Sequence, residues 1–522
     1  MDDVESSQTQ DLAPPVAAAD RTEPAPEPAP PGRRRWVTRV NAYWIFVVVV
    51  IAWGISVTLK HTWVGDWSLH LATVRELTEN LSNPADPITG DHTPSPYMSP
   101  YVWAIAVAAR VFGLTAQSAL EAAGVVVLGA LLVGFAAVAR SLSRRPLVAI
   151  LAVIFSVSLW GWEPVFWSGF LDLTSFSHIL AYPSLAATAL MLLSWAALLR
   201  RRAIISAALV PLILLIHPFT AVNTMLGLAA FALCDRHWWR IRTLAIPAAT
   251  GVAALGIAAL WPYSSLRLLL VPTPELAQIH APLYADALAK YGLVLLALPA
   301  LFVDRRRRHG TALVALFGIA LAVVLVGAAT GHYELARAIP VMALPAHLAL
   351  ARHLGERAAG KSRHAAYAVV IAVACAAGML SAPQPFNGLL RGMPRAWSGT
   401  FGYNGPWGTS FVARYRPITS ELRRGDVVLT DGTQPLATHQ AEMSIMIAGA
   451  YSVPTAWPDP FDPAWRRREA LGKQFFAANT TPARRAAIAA RLGARCVFST
   501  RPEPVPGFRE ITRLDGTLSC RS

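Results

Sequence analysis

Residues 184–234 read SLAATALMLLSWAALLRRRAIISAALVPLILLIHPFTAVNTMLGLAAFALC. Three apolar runs, 184–199, 203–217 and 218–234, are separated by the triplet Arg200, Arg201 and Arg202 and by the dipeptide His217-Pro218. Roughly 20 apolar residues cross a bilayer core, and shorter runs suffice inside a bundle. Backbone in hydrocarbon must satisfy its own hydrogen bonds, so such runs are helices. Arginine between two of them marks a cytoplasmic loop, since loops held on that side carry excess Lys and Arg. Arg236, Arg240 and Arg242 follow the third run, which places His217-Pro218 at a hairpin turn on the opposite, outer face.

The same alternation continues in both directions. Further candidate spans are 41–59, 118–139, 146–162, 243–262, 291–303, 311–329, 340–351 and 365–381, for a total of about eleven. Further basic clusters are Arg140 with Arg144 and Arg145, Arg305 to Arg308, and Arg352 with Arg357, Lys361 and Arg363. The alternate connections, chiefly 60–117 and 163–183, carry Asp, Glu, His, Trp and Tyr instead. Composition agrees: 522 residues are 54% hydrophobic and 15% charged, against about 25% charged in soluble domains. The net charge of +15 sits in these clusters, which argues against nucleic acid as a partner. The abundance of Ala and Arg fits a GC-rich bacterial genome.

Residues 1–40 begin with a Pro-, Ala- and acid-rich stretch without apolar period, expected to be a disordered cytoplasmic tail. Arg33, Arg34 and Arg35 then precede the first span, which reads as uncleaved because no small-residue cleavage site follows it. The segment from Tyr97 to Gly113 is apolar, but crossing there would put the Arg triplet outside. It is therefore expected to lie on the outer face as an interfacial helix. Residues 41–381 thus form an α-helical polytopic membrane domain.

Residues 382–522 change character and are expected outside the membrane as a small α/β domain. Asp426-Val-Val-Leu-Thr-Asp431 and Cys496-Val-Phe-Ser-Thr500 read as buried strands, and 438–447 and 481–492 as helices. Thr481-Pro482 suits an N-cap followed by Pro in the first turn. Cys496 and Cys520 are permitted a disulfide in that compartment. Cys234 and Cys375, in or beside apolar runs, read as packing residues.

Chemistry concentrates in the outer loops. Gly65-Asp66-Trp67-Ser68-Leu69-His70 opens a helical stretch over 66–80, with Asp66 and His70 four apart on one face. A carboxylate and imidazole so placed can act as base and orienter; the ordinary alternative is a helix-capping acid. Asp91 and His92 close the same loop. The next loop holds His178 and Tyr182, whose neighbouring aromatics also suit an interfacial belt. Lys290 and Arg267 flank a helix end, where snorkelling is the ordinary role. In Gly331-His332-Tyr333-Glu334-Leu335-Ala336-Arg337, the outer placement of Arg337 runs against the positive-inside bias. Its guanidinium suits a lipid-borne phosphate, or a salt bridge to Glu334.

These features together resemble the GT-C class of membrane glycosyltransferases, which use polyprenyl-phosphate sugars. The resemblance rests on residues 65–70, on Pro94-Ser95-Pro96-Tyr97-Met98-Ser99-Pro100-Tyr101 opening a helix that ends Phe112-Gly113, and on the His217-Pro218 hairpin, the Arg337 turn and the outer α/β region. It implies Asp66 as catalytic base with His70 beside it, Asp91 being the weaker candidate. It implies Arg337, with Lys290 possible, at the lipid phosphate, and substrate contacts from His217, His178 and Tyr182. Implied partners are a polyprenyl-phosphate sugar donor, a glycan or lipid acceptor of the cell envelope, and membrane lipids. The adjacent Asp-Asp or Asp-Glu pair of some relatives has no counterpart at Asp66, so a divalent cation stays open and no cofactor is assigned. Trp397, Trp407, Trp457 and Trp465 are acceptor-platform or core aromatics. Competing readings are a lipid-linked glycan ligase or polymerase, a transporter and a non-catalytic scaffold.

Overall fold

In the computed structural model the described residues are 32–59, 66–263, 274–356, 362–381, 414–431, 435–453, 463–501, 504–514 and 516–521. The tail before residue 32, Gly65, Arg267, Trp397, Trp407, Trp457 and the start of the C-terminal region at 382–413 lie outside them. Every expected span falls on a helix. In chain order these are α1 (Gly32–Leu59), α2 (Trp67–Glu79), α3 (Pro100–Phe112), α4 (Ala116–Leu142), α5 (Pro146–Ser158), α6 (Leu173–His178), α7 (Pro183–Leu199) and α8 (Ala203–Ile216). Then come α9 (Pro218–Leu233), α10 (Ile241–Ala259), α11 (Pro274–His280), α12 (Ala287–Tyr291), α13 (Leu298–Val303), α14 (Gly310–Thr330), α15 (Ile339–Glu356) and α16 (Ser362–Leu380).

Among the described residues five helical stretches are long and apolar enough to cross a membrane: 116–142, 241–259, 287–306, 310–330 and 333–356. The others are apolar but shorter, including α5, α7, α8 and α9. The chain is a multi-pass membrane protein. One span is irregular: 287–306 runs through α12, a 3₁₀ segment, α13 and a second 3₁₀ turn. Pro299 enters at the first turn of α13, where a missing N–H is tolerated.

Local chemistry sets the helix starts. Ser99 accepts from the Val102 N–H at 3.4 Å and Thr115 from Ser118 at 3.1 Å, each satisfying an orphan donor of the first turn. Pro follows the cap in α3, α5, α7 and α9. Gly113 ends α3 at φ 63, a left-handed conformation that costs glycine little. α3 is thus a separate 13-residue helix, about 20 Å long, as read from the sequence.

α7 is the central post, buried along nearly its whole length. Trp195 shows its packing: the ring is fully buried, its Nε1 donates to the Thr224 carbonyl at 3.0 Å, and a Cβ at Gly227 would fall 2.2 Å from it. α10 lies at the periphery with Ile241, Ile246, Val252 and Ile257 exposed, as a lipid-facing helix requires.

The C-terminal region holds a five-stranded mixed sheet of order β2-β1-β3-β5-β4, with β1 Val427–Thr430, β2 Tyr451–Val453, β3 Ala494–Ser499, β4 Phe508–Arg513 and β5 Thr517–Arg521. β1 pairs parallel with β2 and β3, and β5 antiparallel with β3 and β4. Helices 435–448, 463–476 and 482–491 accompany it, and Thr481 caps the last through the Arg484 N–H. Cys496 and Cys520 face each other across β3 and β5 and form a disulfide. Cys375 is buried, whereas Cys234 is exposed. Trp465 is partly buried against the core of this region.

α2 belongs to two cores at once. Trp67, Leu71, Val74 and Leu77 pack into the helical body, while Leu69 and Ala72 pack with Val428, Ile445 and Phe498 of the C-terminal region. Charge reinforces the joint. Arg75 donates to the carbonyls of Met446 and Ile447 at 3.3 and 3.0 Å, and buried Glu76 meets Arg75 at 3.5 Å and Arg424 at 3.4 Å. The helix that begins at Asp66 is therefore held from both sides.

Candidate functional site

Asp66 occupies the N-cap position of α2, yet its side chain makes no capping hydrogen bond. The Tyr182 hydroxyl hydrogen-bonds the Trp67 backbone, satisfying one of the orphan donors of the first turn. One turn on, the His70 N–H bonds the Asp66 carbonyl at 3.0 Å, so the two side chains share a face. The His70 ring stands edge-on to Tyr182 at 4.8 Å. Burial pushes its pKa down to about 4 against the opposing pull of Asp66, leaving a neutral imidazole at pH 7. Burial and the Asp66 charge both raise the Tyr182 hydroxyl, which stays protonated.

Facing them, His217 caps α9. Its Nδ1 lies 3.2 Å from the Thr220 N–H and 2.8 Å from the Thr220 hydroxyl, so Nε2 is turned the other way. There it meets Arg337 Nη2 at 3.4 Å. Arg337 stands on the 3₁₀ turn Tyr333–Ala338. Its Nη1 donates to the Ser168 carbonyl, its guanidinium lies 4.8 Å from the centre of the Phe219 ring, and its Nε is buried without a partner. Among the described residues no carboxylate is within ion-pair distance of it; Glu334, the sequence alternative, bonds His332 at 3.0 Å instead. The Asp66 charge reaches Arg337, and His217 lies within electrostatic reach of Arg337, His70 and His280. A pocket beside Arg337 is walled by Ser168, His217, Phe219, Asn223 and Thr188.

The structure thus brings Asp66, His70, Tyr182, His217 and Arg337 into one cluster from four separated places in the chain. It sets three other sequence candidates apart. Lys290 donates to the carbonyls of Pro282 and Ala285 at 3.0 and 2.8 Å and meets Glu163 at 3.8 Å. Asp91 pairs with Arg468 at 3.3 Å, at the joint with the C-terminal region. His178 is buried on the Thr174 carbonyl at 2.7 Å, with its pKa lowered by burial. Residues the sequence did not single out complete the cluster: Ser168, Thr220, Phe219 and His280, whose ring lies 5.5 Å from Phe219. Only Phe219 and Thr220, which directly follow His217-Pro218, carried a local signal. Among the described residues no group of three or more His, Cys, Asp or Glu side chains gathers as a metal site would.

Nearby Asp172 caps α6 through the Thr174 and Ser175 N–H groups at 3.1 and 3.2 Å. Burial still drives its pKa up to about 7, and its second oxygen has no partner.

No protein-family model and no curated protein matches the sequence. Solved structures do match in shape. The chain resembles arabinofuranosyltransferase AftD from Mycobacteria with a TM-score of 0.55 at 15% identity, covering 91% of this chain and 40% of that one. It resembles ArnT from Cupriavidus metallidurans bound to undecaprenyl phosphate with a TM-score of 0.52 at 12% identity, covering 94% of this chain and 98% of that one. The apo form of ArnT gives 0.50 at 13% identity. The chain has the GT-C fold. Its match to ArnT runs from the helices through the C-terminal sheet, whereas it spans well under half of AftD. At these identities the GT-C likeness is one of fold, and the chemistry rests on the cluster around Arg337.

Proposed function

We propose that this chain is a membrane glycosyltransferase that moves a sugar from a polyprenyl-phosphate donor to a glycan or lipid acceptor of the cell envelope, on the outer face. The observation that carries the reading is Arg337: a guanidinium set into the fold with a buried, unpartnered Nε and no paired carboxylate. A buried charge without a counter-ion is costly, and a phosphate arriving with its lipid supplies that counter-ion. His217 Nε2 beside it offers a second contact. The ArnT structure was solved with undecaprenyl phosphate, a ligand of the class proposed.

In this reading Asp66 takes the proton of the acceptor hydroxyl as its oxygen attacks the anomeric carbon. The bond from that carbon to the phosphate oxygen breaks, and the departing polyprenyl phosphate gathers charge opposite Arg337, where a preorganised donor counts most. Neutral His70, one turn from Asp66, keeps the carboxylate oriented without neutralising it. Direct displacement inverts the anomeric configuration. Arg-rich loops in the cytoplasm set the orientation, with the C-terminal sheet outside. The test is transfer of radiolabelled sugar from a polyprenyl-phosphate donor by the purified protein in nanodiscs. Labelled acceptor supports the reading, and absence of transfer from a panel of such donors overturns it.

The Arg337–His217 contact also favours a second reading, a lipid-linked glycan ligase or polymerase. That enzyme would depend on the two bases and retain activity without the Asp66 carboxylate.

A further inference from the structure

A second cleft, of about 630 Å³, lies on the C-terminal sheet and shares no residue with the Asp66–Arg337 cluster. Its walls include Arg423, Arg495, Arg509 and Arg521, with Glu421 and Ile511. The four arginines come from separate elements: the turn before β1, the start of β3, the start of β4 and the end of β5. Strands β3, β5 and β4 are neighbours in that order. Their ends line the cleft: Arg495 and Arg521 sit at the adjoining ends of β3 and β5, beside the Cys496–Cys520 disulfide, and Arg509 of β4 pairs with Cys520 one position along.

These charges are poorly compensated. Arg495 is paired with Asp426. Among the described residues Arg423, Arg509 and Arg521 have no carboxylate within ion-pair distance. Arg521 is oriented by the Phe508 ring, 5.5 Å from its guanidinium carbon. Like charges gathered in a cleft focus a positive potential, and guanidinium forks match carboxylate and phosphate oxygens in pairs. The volume is that of a small-molecule site, and one headgroup would occupy only part of the arginine row. Ile511, 47% exposed, adds apolar surface suited to the C–H faces of sugar rings.

The geometry points to a binding site for an anionic glycan, a chain bearing carboxylate or phosphate groups on its sugars. The site stands without the transferase reading. Joined to it, the glycan would be the acceptor. Arg424, next to Arg423, pairs with Glu76 and Glu79 at the far end of α2, so the cleft begins about one helix length, roughly 20 Å, from Asp66.

The experiment measures binding of fluorescent polygalacturonate oligomers to the full chain in phosphatidylcholine nanodiscs, against dextran oligomers of equal length. Wild type should bind polygalacturonate, weaken steeply with salt and ignore dextran. The Arg509→Gln, Arg521→Gln double variant should lose about tenfold or more in affinity. Arg423→Gln, on a turn, should lower affinity as well if the double variant melts early. Equal binding of dextran, or undiminished polygalacturonate binding by the variants, overturns the proposal. So does capture by phosphatidylglycerol vesicles with polygalacturonate unbound, which would make the cleft a lipid-headgroup site.

Discussion

Replacing Arg337 by Lys separates a point charge from a shaped donor. The guanidinium places Nη1 on the Ser168 carbonyl, Nη2 3.4 Å from His217 Nε2 and its face on Phe219, with Nε turned to buried space. An ammonium can reach one of these positions. The turn that carries residue 337 should survive, because Asn223 Nδ2 anchors it through the backbone carbonyl at 2.8 Å. Losing one preorganised donor at a developing charge costs about 10²–10³ in kcat, or about 2.7–4 kcal/mol. Arg337→Ala removes the whole fork and should fall at or beyond about 10³. Arg337→Lys keeps the charge and should fall by about 10². Because the interaction strengthens as the phosphate departs, KM for the donor should change by less than about tenfold. Initial rates with a labelled polyprenyl-phosphate sugar in nanodiscs, with thermal melting as control, decide it. Wild-type kcat in Arg337→Lys would refute the assignment of Arg337 to the leaving phosphate, and so would a loss that appears wholly in the melt.

Two further expectations concern the frame around the site. Asp172 has its pKa raised by burial to about 7, so the folded state holds its proton more tightly than the unfolded chain. Wild type should lose stability relative to Asp172→Asn as pH rises from about 4 to about 7, by up to about 4 kcal/mol, and the difference should flatten above that; melting of both proteins across pH checks this, and a constant difference would contradict it. Glu76→Gln strips the charge that Arg75 and Arg424 share at the joint, at a cost of about 3–5 kcal/mol for a broken buried pair. Hydrogen exchange should then quicken in 435–448 and along α2 while α7 stays protected; unchanged exchange in both would show that the joint rests on apolar packing alone.

Much of the fold could be read from charge and period. The Arg triplet at 200–202 and the apolar runs on either side locate α7, α8 and α9, because a bilayer permits few other structures. Asp66 and His70 fell on one helix face as their spacing required, and Arg337 stood out because it broke the positive-inside pattern. The rest depends on contacts that no local pattern encodes. Ser168 meets Arg337 across 169 positions, and Tyr182 reaches the start of α2 from the second loop. Lys290 and Asp91 carry the right charges, yet nearby carbonyls and Arg468 already engage them. β2, β4 and β5 are short or exposed strands with little apolar alternation, so the sheet announced itself only at β1 and β3. Arg75 and Glu76 read as an ordinary charged helix face because the partner surface is some 370 residues away, as the Arg75–Met446 bond at 371 positions shows.

The most direct measurement is sugar transfer by Asp66→Asn from a radiolabelled polyprenyl-phosphate donor, at equal protein and with donor binding measured alongside. The amide keeps the size of the carboxylate and removes its basicity. Transfer should fall by about 10²–10⁴, with donor still bound at Arg337 and the melt unchanged. Transfer at the wild-type rate would contradict the account and leave the ligase or polymerase reading in its place.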